Sequence, residues 1–292
     1  MIIRNSIDAL NICGKEGIPL YKLSIAYEAA KGDISELKVI EKMADNFAEM
    51  KASVKAGLSE RQKGVGCKMF KDDAKKLMAY RKTTSPLSGD VVSKAVAYAL
   101  SVMEINCSMG RIVAAPTAGS CGVLPAAIIS TMETKNLPDE AGVNGLFTAG
   151  LVGMIIGKNA SLSGATGGCQ AEIGSASAMG AAAVVEMAGG TPLMAFDAAA
   201  IAIKSMMGLV CDPVAGLVEV PCTKRNGMGT SNALIAADMV LSGIPSVIPF
   251  DEVVWAMAKV GRALPESLKE TAEGGVAATP TGKRIQKEIF GK

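Results

Sequence analysis

The sequence predicts an all-α protein, a mainly helical single domain whose loops carry the chemistry. Three observations point there. Apolar residues recur every three or four positions, as at Leu37, Ile40, Met43, Phe47, Met50 and Val54. Alternating β-branched runs long enough for a strand are missing. Glycine and proline punctuate the chain at spacings that suit helix ends. With 292 residues, no internal repeat and no linker-like stretch, one domain over 1–292 is expected.

Charge grades that domain. Residues 1–90 carry 28 charged side chains, whereas 105–203 carry 9. Charged outer helices are therefore expected over 1–90 and an inner, site-bearing core over 91–292. The first strong element is the helix of about five turns through Leu37 and Val54, with Lys38, Glu41, Lys42, Asp45 and Glu49 on its solvated face. Gly57 is expected to end it, before a loop holding Gly64 and Gly66. The segment SPLSGD, 85–90, reads as a turn. Asp90 then caps a helix running to about Asn106, stopped by Gly110.

Next comes GRIVAAPTAGSCG. Arg111 enters a loop of small residues in which Thr117, Gly119 and Ser120 offer hydroxyls and backbone N–H groups to an anion. A plain helix connection fits the same residues. Cys107 and Cys121 match no ligand spacing and are expected to be buried as small hydrophobes. Residues 142–157 read as a Gly-rich buried helix, followed by a polar stripe of Asn159, Ser161 and Ser163 before Gly164. These groups can hold a carboxylate or amino group, or cap the next helix. From Gln170 to Met187 the chain is helix-compatible and almost uncharged, ending at Gly189, Gly190 and Pro192. Asp197 reads as the N-cap or first turn of a helix that stops before Gly208. Ser231 and Asn232 start another, ended by Gly243 and Pro245. A last helix near 251–262 carries Trp255.

Composition excludes several classes of function. A formal charge of +2 leaves no nucleic-acid footprint. The opening MIIRNSIDALNICGKEG is polar and interrupted, unlike a signal peptide. Seven cysteines without a regular framework point to a reducing compartment, and the cytoplasm is the expected one. Two apolar stretches, 112–130 and 141–157, raise the question of a membrane. The first contains Pro116 and Pro125, the second is rich in glycine, and neither has Trp or Tyr anchors at its ends. Core helices, and no membrane span, are expected.

Chemistry concentrates between Lys158 and Asn226. Cys169, Cys211 and Cys222 each lie at a Gly- or Pro-marked break, with 41 and then 10 residues between them. Such breaks supply the sharp bends that metal-bound thiolates need. The long spacing does not fit the CxxC pairs of structural zinc. It suits an iron–sulfur cluster with one iron lacking a protein thiolate. Cysteines buried as plain hydrophobes remain the other reading of the residues alone. Cys169 is expected at a helix N-terminus, where free N–H groups and the dipole favour its thiolate.

The strings KNASLSGATGGCQAEIGSASAMGAAA, CDPVAGLVEVPCTKRNGMG and GRIVAAPTAGSCGVLPA, with GGVAATPTGKRI near the end, are long and unusual. In them the chain resembles the iron–sulfur-dependent L-serine dehydratases, in their α subunit, over nearly its whole length. The resemblance implies a [4Fe-4S] cluster on Cys169, Cys211 and Cys222, with an open iron that takes the hydroxyl of L-serine. It makes the Thr117–Gly119 loop a rim of the substrate pocket. It also implies a β subunit with a Ser/His-containing loop, and hence a hetero-oligomer. Nothing like that loop occurs in this histidine-free chain, and no terminal cysteine is present to cover the open iron.

Removing water from serine requires loss of the α-proton and departure of hydroxide. Pyridoxal phosphate would need a Schiff-base lysine and a phosphate cradle, and no convincing one is found; a Lewis-acidic iron is the other route. Lys158, Lys224 and Glu172 lie closest in sequence to the cysteines, and Lys158 is the expected base because it abuts the polar stripe. Arg225 and Asn226 are expected to hold the substrate carboxylate, since arginine grips it through two parallel bonds. An L-cysteine desulfidase with the same cluster and a non-catalytic iron–sulfur sensor or scaffold are the alternative readings.

Overall fold

The computed structural model describes residues 2–59 and 66–291. Gly64 lies outside them, and Gly66 has the left-handed φ of +72° expected of a glycine loop. Among the described residues there are thirteen α-helices and no strand, only an isolated bridge between Cys211 and Lys269. The all-α expectation holds.

In chain order the helices are α1 (Ser6–Glu16), α2 (Leu20–Gly32), α3 (Glu36–Leu58), α4 (Asp73–Thr83), α5 (Gly89–Cys107), α6 (Val123–Lys135) and α7 (Asp139–Asn159). Then follow α8 (Gly164–Gly167), α9 (Ser175–Met187), α10 (Pro192–Met206), α11 (Cys222–Leu241), α12 (Phe250–Ala263) and α13 (Pro280–Phe290). Side-chain caps fix several starts: Asn5 accepts from the Asp8 N–H, Ser35 from Lys38, Thr191 from Met194 and Thr279 from Gly282.

Helix α9 organises the rest. Every residue from Ser175 to Val185 is buried, and α6, α7, α10 and α11 all pack on it. Its Ala, Gly and Ser side chains let those four backbones approach closely. A Cβ on Gly180 would sit 3.4 Å from the methyls of both Ala127 and Ala233. One contiguous apolar core runs from Ile3 to Met257. Helix α7 is long and apolar enough to cross a membrane by length and composition, and 67% of its apolar window is buried inside the protein.

Several expected boundaries move. In α3 the buried positions are Val39, Phe47, Met50 and Val54, whereas Leu37 is 74% exposed. The inward line runs 39, 43, 47, 50, 54, with Met43 partly buried, and leaves Leu37 off the core face. Gly57 lies inside α3 rather than ending it. A Cβ there would come within 2.2 Å of the Ser101 carbonyl oxygen, so its glycine serves the close approach of α3 to α5. Gly57→Ala is accordingly expected to cost about 1–3 kcal/mol, the usual penalty of overpacking. Urea unfolding of the iron-free chain should show a lower midpoint at unchanged slope; an unchanged midpoint would mean that the two helices separate freely.

Asp90 does not cap α5; it lies in the first turn and pairs with Arg81 at 2.5 Å. Thr191 caps α10, so Pro192 opens that helix instead of closing α9, and Asp197 lies well inside it. Helix α11 starts at Cys222, nine residues before the expected start, because Gly227 and Gly229 are packing positions. Cβ atoms there would lie 2.9 Å from Val96 and 2.7 Å from Ile173. Helix α13, absent from the sequence reading, begins with the same Thr-Pro pair as α10. Cys121 is buried as expected, but Cys107 is only partly buried, and its sulfur lies against that of Cys67 beside the Glu104 carbonyl.

Candidate cluster-binding site

Each of the three cysteines is set by its own local device. Cys169 stands between α8 and a single π-helical turn, Gln170–Gly174, that leads into α9. Such turns insert a residue and re-aim the side chains beside them. Gly168 precedes it at φ +76°, with Leu264 and the Leu209 carbonyl where a Cβ would go. Gln170 then binds that turn to its surroundings, donating to the carbonyls of Gly167 and Met257 and accepting from the Gly208 N–H.

Cys211 is held through its backbone. Its N–H donates to the Leu268 carbonyl at 2.9 Å, and its own carbonyl accepts from the Glu270 N–H at 2.7 Å. Cys222 is the first residue of α11, not a loop residue as expected from sequence. The buried Glu219, three residues earlier, accepts the N–H groups of Lys68 and Met69 and so pins the approach to that helix.

The three thiols are 2%, 3% and 8% exposed, in sequence order. Burial pushes Cys169 and Cys222 up to about 12, and it raises Cys211 further, with Cys169 and Glu172 adding to the effect there. The helix start was expected to favour a Cys169 thiolate, and desolvation outweighs it in the iron-free chain. Cys169 and Cys211 pack in one small buried cluster with Val123, Ile173 and Ala176. Thiols that burial keeps protonated ionise when a bound cation compensates them, which is the condition metal ligation meets. Among the described residues no group of three such donors is tight enough for one metal ion. A polynuclear cluster has no such requirement, because its ligands bind separate irons.

A carboxyl completes the pocket. Glu172 Oε1 accepts from the Thr117 hydroxyl at 2.8 Å. Cβ atoms on Gly119 and Gly164 would lie 3.1 and 2.7 Å from its oxygens, and the one on Gly164 would also lie 2.9 Å from the Cys211 sulfur. Two glycines thus leave open the space that carboxyl and sulfur share. Burial raises Glu172 above the usual carboxylate range, against the Thr117 hydrogen bond. It is the sole charged residue between Lys158 and Glu186. That isolation was the signal in the sequence, and proximity to the polar stripe drew attention to Lys158 instead.

The other expected site residues divide into two groups. Thr117 and Gly119 meet Glu172, and Asn226 ties their loop to α11, donating to the Gly119 and Cys222 carbonyls and accepting from the Gly122 N–H. Asn226 is thereby fully engaged within the protein. Arg225 donates to the Val210 carbonyl and to Asp212 Oδ1, both at 2.8 Å.

Lys158, Asn159 and Ser161 line a cavity of about 300 Å³ with Gly167, Gln170 and Arg262. There Lys158 donates to the Ile3 carbonyl and the Tyr27 hydroxyl, and Asn159 donates to the carbonyls of Arg4 and Ile155. Ser161 Oγ accepts from the Ser163 N–H, and Ser163 immediately precedes α8. Lys224 is paired with Asp73 and lies over the Phe70 ring.

Comparison with known proteins supplies the family. The model of the serine dehydratase alpha chain family matches residues 15–277. A probable L-serine dehydratase alpha chain from Bacillus subtilis is 48% identical over 290 residues, covering 99% of this chain and 96% of that protein. The L-serine dehydratase alpha chain of Peptoniphilus asaccharolyticus is 42% identical over 99% of both chains. The L-serine dehydratase of Streptomyces coelicolor is 36% identical over 94% of this chain but only 60% of its own length. A match of this extent to family model and relatives alike makes the chain a member of the serine dehydratase alpha chain family.

Proposed function

We propose that this chain is the alpha component of an L-serine ammonia-lyase that forms pyruvate and ammonia, with a [4Fe-4S] cluster on Cys169, Cys211 and Cys222. The observation that carries this reading is a part-buried carboxyl, Glu172, beside the buried Cys211 sulfur in a space kept open by Gly164, with Cys169 packed in the same buried cluster as Cys211. When bound, the cluster supplies the Lewis acidity that makes hydroxide a feasible leaving group. Glu172 takes the α-proton: the Cα–H bond breaks, its electron pair forms the Cα=Cβ double bond as the Cβ–O bond breaks, and the proton held on the Glu172 carboxyl passes to the leaving hydroxide, which departs as water. The Thr117 hydroxyl orients that carboxylate. The aminoacrylate released tautomerises and hydrolyses without further catalysis. Lys158 and Arg262 place positive charge on the cavity that flanks Cys169, and we assign the substrate carboxylate to that side. Lys158 is thus reassigned from base to anion holder, because its ammonium donates to Ile3 and Tyr27.

A second, beta-type polypeptide completes the enzyme in this reading. It is supported by the alpha-chain names of the full-length relatives and by the longer Streptomyces protein, of which this chain covers 60%. The assembly is placed in the cytoplasm, where low oxygen and free thiols preserve such clusters. The test is an anaerobic assay of the iron-loaded chain with L-serine and with L-cysteine, alone and with the beta chain. Pyruvate from serine, appearing only with the partner, is expected. Equal serine turnover by the chain alone removes the need for a partner. Preferred release of sulfide from cysteine makes the protein a desulfidase, and an iron-loaded pair that turns over neither substrate is a sensor or scaffold.

A further inference from the structure

Arg225 joins the segments that carry Cys211 and Cys222. It lies three residues after Cys222, on the same face of α11 one turn on. Its guanidinium donates to the carbonyl of Val210, the residue before Cys211, and to the carboxylate of Asp212, the residue after it. The ion pair is nearly dry, with side chains 17% and 3% exposed. Asp212 is held from its other side, since Oδ2 accepts from the Val276 N–H at 2.7 Å.

We infer that Arg225 is a positioning residue for the cluster ligands: it fixes the spacing of the Cys211 and Cys222 segments before iron arrives, and Asp212 orients it. The inference rests on the assignment of those cysteines as ligands. Arginine suits the task because the two N–H groups of Nη1, fixed in the guanidinium plane, reach both acceptors flanking Cys211, a rigid placement that a freely rotating ammonium does not reproduce. Its positive charge also offsets part of the repulsion among three developing thiolates. This use differs from gripping a substrate carboxylate, the role its sequence position suggests, because Nη1 already donates to two protein acceptors.

The test compares Arg225→Lys, Asp212→Asn and the wild type, each loaded anaerobically at limiting iron and sulfide. Iron per chain, the rate at which a chelator bleaches the visible absorbance, and Tm of the iron-free chain are read for each. Arg225→Lys is expected to hold iron about tenfold more weakly, within the range of losses when a partner of a metal ligand is altered. Asp212→Asn should show a smaller loss, and the iron-free Tm of both should stay close to wild type. Wild-type iron retention in Arg225→Lys, with KM for serine raised tenfold, overturns the inference and returns Arg225 to the substrate. An equal fall in Tm with and without iron also overturns it, because the residue then serves folding only. If the wild-type chain itself fails to take up iron, it is the ligand assignment that fails.

Discussion

Serine in place of Cys169, Cys211 or Cys222 is expected to abolish stable iron binding and, with it, turnover. Loss of a metal's contribution to a charged transition state removes several kcal/mol, on the order of 10³-fold in kcat or more. Iron and sulfide counted after anaerobic reconstitution check the first half, and pyruvate formation with the partner chain checks the second. Cys13→Ser and Cys67→Ser are the controls. Cys13 is buried among apolar neighbours, Cys67 lies beside Cys107 and the Glu104 carbonyl, and neither variant should lose iron. A full iron complement in any one of the three ligand variants removes that cysteine from the assignment.

Glu172→Gln is expected to lower kcat by about 10²–10⁴-fold, the ordinary contribution of a positioned general base. Iron content and KM should change little. The amide has the shape of the carboxyl and still accepts from the Thr117 hydroxyl, so the pocket keeps its form while losing its proton acceptor. Lys158→Met, on the cavity side, should instead raise KM at nearly constant kcat. If the two variants exchange these behaviours, the base is Lys158, as the sequence alone suggested.

The helices were legible wherever apolar periodicity or an isolated glycine marked them, as in α3, α7 and α9. The misread boundaries share a cause. Pro192 and Pro280 open helices because a threonine before each supplies the cap, a pair that looks like a stop when the proline is weighed alone. Gly57, Gly227 and Gly229 look like breaks and are close-approach positions, which become visible only with Ser101, Ile173 and Val96 in place. The site shows the same limit. Gly and Pro beside the three cysteines are local features and can be read directly. The partners of Lys158 and Asn159 are Ile3 and Arg4, far away in sequence, and no spacing rule reaches them.

The hydrogen bonds between Cys211 and the 268–270 segment, and between Asp212 and Val276, bear on the order of events in synthesis. Cys169 leaves the ribosome about a hundred residues before Val276. At ordinary elongation rates that interval is about 5–20 s. During it Cys169 and Cys211, and later Cys222, belong to a pocket whose last wall does not yet exist. Iron delivered in that window meets thiols that are still open to solvent and to each other. Under the proposed ligand assignment, loading is expected to follow synthesis of the 268–276 segment, and a nascent chain stalled before residue 268 is expected to hold less iron than the full chain.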